Sequence, residues 1–241
     1  KRKITDLRKN NMIFESWLQQ LTQFNLFWLF IFFLIENVAL VGLSVLIGKV
    51  IESENTFLKN KDRKWVFSTL LCNTFITLIG FELYRYGILK VNFSTSVKLI
   101  IFDTLLLILL MDLLMFLFHF LVHYLKWMYP IHKLHHTHIE TNVYSLYVLH
   151  PIETLGFGFI WLFLITILKF NYLSIIIYLF LNLSYGIFGH LKKDIFPSFW
   201  YNNYFTKWIS TTKFHNDHHK NESRNYGFYF TIWDKIFKTI I

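Results

Sequence analysis

Three long, predominantly apolar runs, at residues 26–48, 65–88 and 99–122, constrain the fold of this chain more than any other feature. Wound as helices at about 1.5 Å per residue, runs of that length cross a hydrocarbon core of about 30 Å. Three spanning helices are therefore expected. Two further runs, 152–168 and 171–189, are separated by little more than Lys169 and Phe170, and the first reaches only about 26 Å as a helix. They read as a tight hairpin, spanning or re-entrant, for about four to five membrane segments in all. Either form returns the chain to the side it left, so His150 before the hairpin and His190 after it belong on one face of the membrane.

More than half of the residues, 54%, are hydrophobic, which together with these runs excludes a soluble single domain. The net charge of +9 does not point to nucleic acid, because Lys and Arg are scattered between apolar segments and form no basic stripe. It fits loops beside anionic lipid. With five spans, segments 49–64, 126–149 and 190–241 share a side and carry most of the 24 Lys and Arg, which places them in the cytosol by the positive-inside rule. Lys1, Arg2, Lys3, Arg8 and Lys9 would face the other way. The single cysteine, Cys72, lies inside an apolar run, so disulfides, thiolate zinc sites and haem-thiolate ligation lack their raw material. Any metal here is held by nitrogen or oxygen.

All eleven histidines lie between positions 119 and 219. His119 and His123 form H-x-x-x-H near the end of the third run, and four residues on a helix turn about 400°, so both imidazoles project from nearly one face. His132, His135 and His136 form H-x-x-H-H, and His215, His218 and His219 repeat it in the tail. Within each, positions i, i+3 and i+4 share a helix face. One such pair is commonplace on a helix; three clusters on one side of a membrane are not. Eight ligands exceed what one first-row ion accepts, so two metals are expected, and imidazole suits iron, zinc, copper and nickel alike.

Asp112 lies seven residues before His119, two helical turns less about 20°, and so lines the same face deeper in the membrane. A carboxylate there needs a partner. It is either a hydrogen bond to a ligand imidazole or an interhelical bond unrelated to metal. Asp103 points the other way and reads as structural. His138 and His150 are each as readily satisfied polar residues as ligands, whereas His190, at the end of the last apolar run, is better placed to join the clusters. Met115, Phe116 and Phe118 surround the face that leads to His119.

The expected fold is all-α: a polytopic transmembrane helical domain with a cytosolic, histidine-rich helical cap, formed by 123–150 and 190–241, that holds a dimetal centre. Residues 1–98 are N-terminal membrane segments, and 99–241 carry the clusters.

This order of motifs resembles the fatty acid hydroxylase / sterol desaturase superfamily, from Asp112 to Thr239. The likeness extends to His150-Pro151-Ile152-Glu153, to the run from His190 to Pro197, to Asn225-Tyr226-Gly227, and to the ending from Trp233 to Phe237. Phe120, Lys192 and Lys238 depart from the usual Arg, Gly and Gly. The resemblance implies two Fe ions on the cluster histidines and His190, with O2 as co-substrate. It implies hydroxylation or desaturation of a membrane lipid, and an external electron donor such as a b-type cytochrome and its reductase. The implied setting is the endoplasmic reticulum, with the clusters facing the cytosol. A member that has lost catalysis and keeps structural metals is the alternative. A histidine-rich metal transporter is a weaker one, because the spans carry few ionisable residues.

Overall fold

The computed structural model describes residues 2–52 and 56–240, with side chains in the first helix described from Met12 onward. The amino-terminal charges invoked for orientation lie outside the described side chains. The described residues form helices, turns and two isolated bridges, with no strand among them.

Helix α1 (Arg2–Leu21) precedes α2 (Leu26–Glu52), and a short 3-10 turn leads into α3 (Arg63–Arg85). Helix α4 (Val97–Tyr124) is capped by Ser96, whose hydroxyl accepts from Leu99 N. At 28 residues it is about 42 Å long, more than a hydrocarbon core needs, so its last turns reach the membrane boundary. The short α5 (Tyr129–His136) starts on Pro130, where a missing N–H is harmless. Among the described residues, four helices are long and apolar enough to cross a membrane: Leu26–Glu52, Asn60–Arg85, Val97–Tyr124 and Tyr172–Gly189.

The expected hairpin is α6 (Pro151–Ile167) followed by α7 (Tyr172–Gly189), and α6 is its shorter member. Pro151 opens α6 while the His150 ring accepts from Ile152 N. Asn171 caps α7 through Leu173 N and is itself held by Asp103, which accepts from Asn171 N at 2.7 Å. Asp103 is thus structural, as its helical phase implied. Beyond α7 the tail forms α8 (Thr212–Lys220), capped by Thr211, and the single-turn α9 (Ile232–Phe237).

The main apolar core joins α3, α4, α6 and α7 through Ile76, Leu107, Met111, Leu162, Ile165 and Tyr178. Glu52, at the end of α2, accepts from Lys192 N just past His190. The start of α2, and α1 with it, therefore lie at the opposite end of the bundle from the histidines.

Candidate metal centre

Nine histidines converge at the end of the bundle, in two groups. His119, His123, His132, His136 and His218 form one; His135, His190, His215 and His219 form the other; within each, one ring nitrogen of every member lies within 4.8 Å of the rest. The groups adjoin through His136 and His219, whose ring centroids are 4.6 Å apart. All nine residues expected at the site, the eight cluster histidines and His190, are brought together.

The sorting cuts across the sequence motifs. In α5 the i and i+4 members, His132 and His136, face the first group, while His135 faces the second. In α8 the pattern is reversed: His215 and His219 face the second group and His218 the first. Residues i and i+4 are about 40° apart on a helix, whereas i+3 and i+4 are about 100° apart, which lets one H-x-x-H-H address two groups.

Several rings are fixed from behind. The Nδ1–H groups of His119, His218 and His190 donate to the carbonyls of Tyr226 (2.9 Å), Arg224 (2.6 Å) and Gly186 (2.9 Å), and His132 Nδ1–H donates to the Glu153 carboxylate at 2.6 Å. A neutral imidazole that donates from Nδ1 carries its lone pair on Nε2. His119 Nε2 and His132 Nε2, both lone-pair nitrogens, nevertheless lie 3.0 Å apart, with no proton to share. His123 Nε2 and His218 Nε2 are buried without any hydrogen-bond partner.

A cation between the rings would resolve this. Burial, reinforced by neighbouring imidazoles, holds His132, His135, His136, His215, His218 and His219 well below the ordinary imidazole range, and burial takes His190 down to about 4. A proton is therefore a poor candidate for that cation. Two metal–nitrogen bonds of about 2.1 Å, opened by 90° to 109°, set their nitrogens about 3.0 to 3.4 Å apart. Neighbouring Nε2 atoms here lie 2.9 to 3.3 Å apart. The neutral, lone-pair-inward donor set fits transition metals.

Asp112 does not touch an imidazole, contrary to one expectation for it. Its carboxylate accepts from Tyr229 N (2.7 Å), Trp233 Nε1 (2.7 Å) and Phe230 N (3.4 Å), and so anchors the tail that presents Tyr226 to His119. Asp234 holds the same turn from below, accepting from Tyr226 N and Gly227 N at 2.8 Å each. The role that sequence reasoning did not assign belongs to Glu153. A carboxylate in the first turn of an apolar helix, two residues after Pro151, was the available signal.

The other single histidines lie outside both groups: His138 pairs with buried Asp62 at 3.0 Å, and His150 caps α6. Of the residues expected to lead to His119, only Met115 lines the adjoining cavity. Phe116 is buried against Phe237, and Phe118 packs on Phe157. The departures from the family pattern leave the rings intact. Phe120 stacks on Phe116 and Tyr124, and Lys238 adopts a left-handed conformation with φ 58°, which favours glycine.

A cavity of about 880 Å³ adjoins the histidines. His119, His132, His135, His190 and His215 form part of its wall, and side chains of the membrane helices, including Met115, Phe157 and Trp161, form most of the rest. No curated protein and no solved structure matches the chain. The family model described as fatty acid hydroxylase matches residues 104–239, more than half of the chain and the whole stretch that supplies the nine histidines, Glu153 and the tail behind them: the chain belongs to the fatty acid hydroxylase family.

Proposed function

We propose that the protein is a membrane-bound di-iron oxygenase that hydroxylates or desaturates a lipid at the expense of dioxygen. The observation that carries this reading is the junction of two imidazole groups with a largely apolar cavity enclosed by membrane helices. Family membership supports both the iron and the lipid. Two iron ions, one on each group, would supply dioxygen activation and removal of hydrogen from an unactivated C–H bond.

The protein's own contribution is orientation and exclusion of water. Glu153 and the carbonyls of Tyr226, Arg224 and Gly186 hold the rings, while Met115, Phe157, Trp161 and Phe228 keep the approach apolar. Leu40 and Leu43 on α2, and Ile176, Leu179 and Phe180 on α7, line the cavity and are also exposed on the outer surface. That seam gives a lipid lateral access from the bilayer. An ion path would require polar walls, and this cavity has few.

The two electrons needed per turnover are assigned to an external donor, residues 1–241 carrying no Gly-rich dinucleotide fingerprint. A b-type cytochrome with its reductase is the donor proposed, docking on Lys207, Lys213, Lys220 and Arg224. In this reading the histidine end faces the cytosol from the endoplasmic reticulum. Residues 1–98 serve as membrane segments, and 99–241 form the catalytic part.

Metal analysis of the purified protein, together with comparative lipid mass spectrometry of cells with and without it, tests the proposal. About two iron ions per chain and an oxidised lipid that disappears in His135→Ala and His218→Ala proteins are expected. Full metal content and activity in His218→Ala would overturn it.

A further inference from the structure

We propose that α1 closes the far end of the cavity and sets the length of the lipid that fits. The inference rests on the lipid reading above and adds to it the residues that measure the substrate.

The cavity follows α7 from Tyr172 and Ile175 at one end to Gly189 and His190 at the other. That stretch of helix is about 26 Å long, close to the whole hydrocarbon thickness of about 30 Å and well beyond the roughly 15 Å of a single leaflet. An elongated lipid with its reacting carbon at the histidines therefore runs past the bilayer midplane. Its other end arrives where α1 packs.

Phe14 and Leu18 of α1 both line the cavity, beside Leu89 and Val91. The Phe14 ring stacks on Tyr172 at the start of α7, with centroids 4.8 Å apart and planes at 21°. Leu18 packs against the small core of Leu21, Leu29, Phe33 and Phe81 that fixes α1 to α2 and α3. These four lining residues are apolar and suit a hydrocarbon terminus rather than a polar headgroup. Met12, Ile13 and Trp17 are exposed, as befits a helix that meets lipid on its outer side. A side chain at position 14 or 18 thus subtracts its own length from the space open to the substrate.

The test uses the full chain purified in mild detergent. The lipids that co-purify are measured by mass spectrometry, and turnover, with dioxygen, a b-type cytochrome and its reductase supplied, is measured on a series of lipids identical except for chain length. Phe14→Ala and Leu18→Ala shift both distributions to longer chains, and Phe14→Trp shifts them to shorter ones. Metal content is measured alongside, to identify a variant that has not folded; Leu18→Ala and Phe14→Trp then carry the comparison. Unchanged length distributions in metal-replete variants, or no lipid held by the wild-type protein, overturn the proposal. The retained-lipid profile does not depend on turnover. A wild-type protein that holds length-selected lipid yet oxidises none of it would refute the oxygenase reading and leave the ruler standing.

Discussion

The Glu153 carboxylate, only 2% exposed, accepts a hydrogen bond from His132 Nδ1–H across 2.6 Å. That contact fixes the ring's tautomer and aims its Nε2 at His119 and His136. Carboxylate partners of ligand imidazoles commonly contribute about 10- to 100-fold to metal affinity. Glu153→Gln keeps the shape and removes the charge, so metal retention under chelator competition should fall by about that factor. Retention equal to wild type would show that the carboxylate does not act through His132.

Gly227 sits where a Cβ would strike the Phe230 carbonyl and come within 2.8 Å of Asp234 Oδ2. The turn it permits delivers the Tyr226 carbonyl to His119. Gly227→Ala should lower stability by about 1–3 kcal/mol and weaken metal binding with it, measured by thermal unfolding and metal stoichiometry on the same preparation.

Asp112 accepts three N–H groups from the tail and none from a histidine. Asp112→Ala leaves those donors without their partner, at about 1–3 kcal/mol. Its first symptom should be faster proteolysis of segment 225–241, preceding any loss of metal. Metal lost while the tail stays protected would point instead to direct contact with the site.

Acidification should destabilise the metal-free protein. His132, His135, His136, His215, His218 and His219 are held below their ordinary range by burial and by one another, and burial takes His190 to about 4. The unfolded chain, with imidazoles near 6.5, takes up protons first, so stability is present above about pH 6.5 and is lost as pH falls towards the folded-state values. The Tm of chelator-treated protein should drop between pH 7.5 and 5, and a flat or rising Tm would contradict the burial of the cluster.

Lys238 occupies a left-handed conformation at the end of α9. Lys238→Gly should raise the Tm modestly, corresponding to about 1 kcal/mol, with metal content unchanged. A lower Tm would mean that the lysine side chain contributes more than the backbone conformation costs.

Helical periodicity and hydropathy carried much of this architecture. Apolar length marked the spanning helices, and the hairpin forced His150 and His190 to one end whatever the span count. The H-x-x-x-H and H-x-x-H-H spacings marked the histidines that converge because a helix repeats its face every three to four residues. The partners of Asp112 were not legible, since Tyr229 lies 117 residues away and no periodicity relates them. Nor was the sorting of His135 from His132 and His136, because a shared helix face does not say which of two neighbouring centres each residue meets. Glu153 was visible as a carboxylate in an apolar helix, but only the fold brings it to His132.

The exchange of histidines between α5 and α8 has a consequence for assembly. Neither helix can complete a centre alone, and each contributes to both, so an ion captured by either group draws the same two helices together and pre-forms the other. Loading should therefore be cooperative, with half-filled protein scarce at any metal concentration.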